Sequence, residues 1–275
     1  MKIFALSDPH LSRSQDKPMD IFGGHWTDHI TQIAKAWDVR VGPDDLVLVP
    51  GDISWAMKLP QALPDLEHLH ARPGVKLLTK GNHDLWWPRK KRQFLLEGLD
   101  SMLFLHGRTL RFGPVGMAVT RGWTIPGDSW FTAQDQKVYD KELRYLEAAL
   151  ADLGDASVRI AVLHYPPWNN RKEAGGAIEL FHKYGVQHVV HGHLHGAGCD
   201  RATVTGERDG IIYHLTSCDF IGFDPVEILN LPDLDIPPLT VVEGNVVTLP
   251  NKGTLIGPLV EGPFPPRPVE LSSES

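Results

Sequence analysis

Five short apolar runs, residues 2–6, 45–49, 75–79, 158–163 and 187–191, each stop just before a residue able to ligate a metal. Asp8, Asp52, Asn82, His164 and His193 follow them in that order, and this recurrence constrains the fold more than any other feature. Runs of this length, rich in Val, Ile and Leu, mark strands buried on both faces. Between them, residues 28–40, 59–71, 88–99, 135–153 and 176–185 carry apolar side chains at three- and four-residue spacing, which predicts helices. The alternation predicts an α/β fold whose ligand-type residues converge at the carboxyl ends of neighbouring strands, along one edge of a sheet. Gly51, Gly81 and Gly192 each precede such a residue. A missing Cβ there permits a tight strand-to-loop turn or a close backbone approach to a metal or phosphate.

Residues 102–121 and 199–215 predict further strands, with Gly113-Pro114 and Gly206-Glu207-Arg208-Asp209-Gly210 as hairpin turns and a second sheet as the result. Residues 1–256 are read as one domain. The Pro-rich segment 257–275 is read as an extended, partly disordered tail. With 27 basic and 34 acidic residues the chain has a formal charge of −7, so it has no global positive field to hold duplex nucleic acid by counterion release. Arg89-Lys90-Lys91-Arg92 is the one dense basic patch and reads as a solvated helical turn. Two cysteines, Cys199 and Cys218, fit a reducing cytoplasm better than a disulfide framework. No apolar run approaches the ~20 residues of a membrane span, so the expectation is a cytoplasmic protein without a membrane partner.

The ligand-type residues fall in short blocks: Asp8-Pro9-His10, Gly51-Asp52, Gly81-Asn82-His83-Asp84, His164 and Gly192-His193-Leu194-His195. Two divalent cations roughly 3.5–4 Å apart need one shared carboxylate with His, Asp or Asn on each side, and this chain has enough ligands for both. Imidazole and carboxylate without thiolate suit manganese, iron or zinc. In block order and composition the chain resembles the calcineurin-like metallophosphoesterase superfamily, over about residues 1–220. The resemblance implies a four-layer α-β-β-α sandwich with two mixed sheets. It further implies one metal held by Asp8, His10, Asp52 and His195, and a second held by Asp52, Asn82, His164 and His193, with Asp52 bridging. Manganese is the first expectation, with iron or zinc as alternatives. His83 becomes the catalytic histidine outside the metal shell, beside a metal-bridging hydroxide that attacks phosphorus. One position departs from the pattern. Many relatives carry Asp or His three residues after the bridging Asp, and here Trp55 stands there, which leaves the adjacent Asp84 as the group expected to orient His83.

The implied activity is hydrolysis of a phosphodiester or phosphomonoester in a small soluble substrate. Trp55, Trp86, Trp87 and Trp168 each lie within four residues of a site residue, and such an aromatic rim could stack a nucleobase, pointing to a nucleotide or cyclic nucleotide. Trp168, Arg171, Lys172 and Arg121 are the expected substrate contacts, the basic groups holding a phosphate. His68, His70, His106, His182 and His188 have no partners at metal spacing and read as structural or exposed. A nuclease, a protein phosphatase and a non-catalytic, metal-retaining scaffold are the alternatives. A serine hydrolase is excluded because no G-x-S-x-G elbow is present.

Overall fold

A strand buried on both faces needs a partner layer on each side, and the apolar runs obtain both. The computed structural model describes residues 1–87, 99, 101–196 and 203–232. The helix expected over 88–99, apart from its last residue, lies outside the described residues, as do the basic patch at 89–92, Cys199 and the 257–275 tail.

One sheet is built from β1 (Lys2–Ala5), β2 (Leu46–Pro50), β3 (Val75–Thr79), β4 (Met102–Phe104) and β11 (Val226–Asn230), in the order β11-β1-β2-β3-β4. β1 to β4 are mutually parallel, and β11 pairs antiparallel with β1. The second sheet contains β5 (Arg108–Phe112), β6 (Val115–Val119), β7 (Val158–Val162), β8 (His188–His191), β9 (Gly206–Arg208) and β10 (Ile211–Leu215), in the order β5-β6-β7-β8-β10-β9. Its four central strands are parallel and its two edge strands antiparallel. The α-helices among the described residues are α1 (His29–Arg40), α2 (Leu59–His70), α3 (Ala133–Ala151) and α4 (Gly176–Lys183).

The period of two along each strand divides the apolar side chains between three cores. On β1, Ile3 and Ala5 face the second sheet and join Leu48, Leu77, Val119 and Val162 in the inter-sheet core. Phe4 turns the other way and joins Val47, Val49 and Leu78 against Ile33 and Trp37 of α1 and Leu66 of α2. On the second sheet, Ala161 and Val189 meet Leu146 and Leu150 of α3 and Phe181 of α4. Three cores between four layers make an α-β-β-α sandwich of two mixed sheets.

Four features differ from the sequence expectation. The strands preceding Asp8, Asp52 and Asn82 lie in one sheet and those preceding His164 and His193 in the other, so the ligand-type residues meet where two sheet edges come together. β11 was not anticipated. The hairpin expected to turn over 206–210 turns only at Asp209-Gly210, because Gly206–Arg208 pairs as β9. Helix α3 begins two residues before the apolar spacing suggests, at a reciprocal cap in which Thr132 accepts from the Asp135 amide and Asp135 accepts from the Thr132 amide.

Glu142 of α3 fastens the outer helix to the second sheet. It accepts from His106 Nε2 at 3.0 Å, Thr120 Oγ1 at 2.7 Å and Arg121 Nη2 at 3.1 Å. Burial raises the pKa of such a group, yet the His106 hydrogen bond and charge, with Arg121 and Thr120, bring it down to about 2. A depressed folded pKa means stability present above the ordinary value of 4.5 and lost as pH falls toward about 2. Glu142→Gln is therefore expected to cost on the order of 3 kcal/mol near neutral pH. The gap in urea midpoint between wild type and variant should shrink as pH falls through that window, and a gap independent of pH would contradict the assignment.

Candidate metal centre

Seven of the residues singled out from sequence come together where the two sheets meet. The ligand-type atoms of Asp8, His10 and His195 lie within 4.8 Å of one another, and so do those of Asp52, His164 and His193. The two groups adjoin. His10 Nε2 is 3.3 Å from His195 Nε2 and 3.9 Å from Asp52 Oδ2, while His164 Nε2 is 2.7 Å from Asn82 Oδ1, 3.2 Å from His193 Nδ1 and 3.5 Å from Asp52 Oδ2.

Local backbone geometry explains how short loops aim so many side chains at one place. Asp8, His10, Asp52 and His193 all have left-handed φ, at 57°, 44°, 49° and 74°. Asp and His are among the few non-glycine types that enter this region, at roughly 1–3 kcal/mol each. The flanking glycines are required by close approach. A Cβ on Gly81 would lie 2.1 Å from Asp52 Oδ1, and one on Gly192 would lie 2.1 Å from Asp8 Oδ2 and 2.2 Å from Ser7 Oγ. Contacts across the sheets lock the loops together: the His193 amide donates to Asp8 Oδ2 at 3.0 Å, and His164 Nδ1 lies 2.9 Å from the Pro50 carbonyl.

The donor set fits divalent metal ions. Among the described residues Asp8 Oδ1 and His10 Nδ1 are buried without a hydrogen-bond partner, and imidazole nitrogens face one another at 3.3 Å between His10 and His195 and 3.2 Å between His164 and His193. His164 is oriented by the Pro50 carbonyl, and His195 Nδ1 by Asp219 Oδ1 at 2.8 Å, which leaves Nε2 of each free to ligate. Asp219 was missed in the sequence because it stands outside every recognised block. Ligands of this kind, O and N without S, suit manganese, iron or zinc.

Electrostatics follow from crowding. Burial, and then the nearby charge of Asp8, push the Asp52 carboxyl up to about 8 against the amides of His83 and Asn82 that bond it. Burial would likewise raise Asp8, but His195, with Nε2 3.5 Å from Asp8 Oδ1, and the neighbouring imidazoles hold it well below the carboxylate range. Burial lowers His193 to about 3, helped by His164. His195 is the exception: burial opposes its charge, yet Asp219 and Asp8 raise its pKa to about 10, so a cation binding at Nε2 would have to displace a proton.

His83 sits at the mouth, its side chain 44% exposed, with Nε2 4.0 Å from Asp52 Oδ2. Asp84 does not orient it. Asp84 is fully buried, its Oδ1 accepting from the Ile53 and Ser54 amides and Trp86 Nε1, and its Oδ2 from the Gly81 amide. The carboxylate staples the Gly81 turn to the loop after Asp52. The expected aromatic rim is also revised. Trp86 and Trp87 are buried against Phe104, and Trp168 is buried in the helix-covered core with Tyr213 beside it and Arg208 over its ring. Arg171 and Lys172 are exposed on a loop closed by Asn169, whose Oδ1 accepts from the Arg171 amide and whose carbonyl accepts from the Lys172 amide. Arg121 turns its guanidinium to Glu142 and Trp123, while its carbonyl accepts from the His164 and Tyr165 amides. Tyr165 in turn lies on His193, ring centroids 4.1 Å apart.

Comparison with known proteins agrees with this geometry. A family model described as calcineurin-like phosphoesterase matches residues 1–197. The chain is 35% identical over 103 residues to the gene 66 protein of Mycobacterium phage L5, a match covering 38% of this chain and 49% of that protein. It is 46% identical over 82 residues to the gene 66 protein of Mycobacterium phage D29, covering 30% and 40% respectively. The chain thus spans half or less of the length of these curated relatives. Among solved structures it is similar to phosphopantetheinyl hydrolase from Mycobacterium tuberculosis, with a TM-score of 0.52 and 17% identity over 85% of this chain and 97% of that one, a likeness of fold. No described helix is long and apolar enough to cross a membrane.

The close approach of Gly192 generates a direct test. Gly192→Ala is expected to destabilise the protein by about 2 kcal/mol or more, since the methyl group meets Asp8 and Ser7 in a site with no room to relax. An unchanged thermal midpoint would contradict the packing described.

Proposed function

Because the chain belongs to the calcineurin-like phosphoesterase family, we propose that it hydrolyses phosphoester bonds of a small soluble substrate at a dinuclear metal centre, with diesters preferred over monoesters. The observation that carries this reading is the pair of adjoining groups, Asp8, His10 and His195 beside Asp52, His164 and His193. In the proposed assignment Asp8, His10, Asp52 and His195 hold one ion, and Asp52, Asn82, His164 and His193 hold the other. Two divalent ions, manganese first, would supply Lewis-acid neutralisation of the phosphoryl oxygens and an activated water nucleophile.

The chain's own residues supply the rest. Asp52 lies between both groups, with Oδ2 3.9 Å from His10 Nε2 and 3.5 Å from His164 Nε2, which supports its part as the shared ligand. Asp219 fixes the ring of His195, and the Pro50 carbonyl fixes that of His164, so neither ligand has to be ordered when a substrate arrives. His83, exposed at the mouth and outside both groups, is placed to contact the phosphoryl oxygens or to protonate the leaving oxygen. Its pKa is lowered, chiefly by burial of part of the ring and then by His164.

For the substrate, stacking on Trp86, Trp87 or Trp168 is not part of the proposal, since all three are buried. Arg121, whose guanidinium is held by Glu142, is likewise left aside, and the exposed Arg171 and Lys172 remain candidate phosphate contacts. The fold neighbour is a phosphopantetheinyl hydrolase, so phosphopantetheinyl esters belong beside cyclic and linear nucleotides in a substrate screen.

The test is hydrolysis of bis-p-nitrophenyl phosphate and p-nitrophenyl phosphate by metal-stripped protein, with and without Mn²⁺. Metal-dependent cleavage with the diester faster is the expected result, and no cleavage of either ester would contradict the proposal. Asp52→Asn should abolish turnover and weaken metal retention, whereas His83→Ala should lower turnover with both ions retained. Equal metal loss in the two variants would remove His83 from its assigned role. Asp219→Ala is expected to weaken Mn²⁺ binding about 10–100-fold by freeing the His195 ring, measured by calorimetric titration, and unaltered affinity would show that the ring needs no such support.

A further inference from the structure

Trp55 occupies the position that departs from the family pattern, and its contacts are specific. The indole stacks on His10 with centroids 4.9 Å apart and planes 20° apart, and meets His83 at 4.4 Å and 51°. The indole is itself held. Its Nε1–H donates to Met19 Sδ at 3.3 Å, Lys17 Nζ lies 5.9 Å from the ring centroid, and the Trp55 amide donates to the Leu11 carbonyl at 3.0 Å. The segment that carries Trp55 is therefore tied to the loop that carries His10, through the Leu11 and Ser54 bridge as well.

Among the described residues His83 has little else to settle against. Its nearest carboxylate oxygen, Asp52 Oδ2, stands at 4.0 Å, beyond hydrogen-bond distance. The adjacent Asp84 spends both oxygens on amides and an indole facing the other way. His10 approaches only at 5.7 Å between centroids. An imidazole with a 44% exposed side chain would sample several rotamers, and a large flat neighbour at 4.4 Å removes those that drive the ring into the indole.

We propose that Trp55 is the positioning residue for His83, holding the imidazole at the mouth of the metal centre by ring contact in place of a hydrogen-bonding carboxylate or imidazole. The inference rests on the phosphoesterase reading for its consequence in turnover, but the positioning itself is measurable without turnover.

The experiment uses the full chain and the variants Trp55→Ala, Trp55→Phe, His83→Ala and the Trp55→Ala/His83→Ala double variant. In Mn²⁺-loaded protein, Trp55→Ala should lower kcat on bis-p-nitrophenyl phosphate about tenfold with KM and bound manganese unchanged. Trp55→Phe, which keeps a flat ring and guards against a mere folding defect, should recover most of that loss. In the His83→Ala background the Trp55→Ala effect should vanish, because a positioning residue has nothing left to position. Independently, in diamagnetic Zn²⁺-loaded protein, the His83 Cε1–H resonance should carry the ring-current shift of the indole and lose it in Trp55→Ala. An equal fold loss in the two backgrounds would overturn the proposal, since the indole would then act through His10 or the fold, and so would a His83 resonance indifferent to Trp55. A wild-type protein silent on both chromogenic esters with the His83 shift present would instead overturn the phosphoesterase reading and leave the ring contact established.

Discussion

Two buried carboxylates, Asp8 and Asp52, face a ring of imidazoles in the gap where the two sheets meet, and the surrounding structure is arranged to hold them there. Such groups repel one another or lose hydration when crowded, so they stay only if the backbone leaves no alternative. The restraint is visible in four left-handed residues and in glycines whose Cβ would strike the carboxylates themselves. Local strain of this sort persists where the rest of the fold over-determines it, and the three apolar cores supply that determination. Asp8 Oδ1, left without a donor among the described residues, and the imidazole nitrogens facing one another beside it are what a pair of cations would engage.

The support reaches outward in steps. Asp84 and Asp65, neither near the solvent, bind the loops to one another: Asp84 through the Gly81, Ile53 and Ser54 amides, and Asp65 through the Ser54 hydroxyl and the Arg13 amide. Asp219 then fixes His195 from the end of β10, so the second sheet orients a residue whose other nitrogen faces the first. Helix packing enters through Glu142, which ties α3 to Thr120 and Arg121, and the Arg121 carbonyl in turn accepts from the His164 and Tyr165 amides.

Much of this was legible in the amino-acid sequence because burial on both faces writes itself as unbroken apolar runs, and β1, β2, β3, β7 and β8 all appear where those runs stand. Which sheet each strand joins was not legible, since a run of Val and Leu says that a strand is covered and not by what. β11 escaped because Val226–Asn230 is half-exposed at a sheet edge and pairs with a strand more than 200 residues away. Asp219 escaped for a related reason: its value lies in a contact with His195 that no local spacing encodes. The tryptophans show the opposite error. Proximity in sequence to Asp52, His83 and His164 suggested a common rim, but neighbouring residues on a turn point in different directions, and only Trp55 reaches His10 and His83. Asp84 fails as an orienter on the same geometry, adjacent to His83 yet turned inward.

In the proposed centre two cation sites share Asp52. Titration of metal-stripped protein with Mn²⁺, followed by electron paramagnetic resonance, tests it most directly. Two equivalents bound per chain with an exchange-coupled spectrum is the predicted result, because a shared carboxylate holds the ions close enough to interact. Binding of a single equivalent, or of two ions giving only an uncoupled signal, would contradict the shared centre.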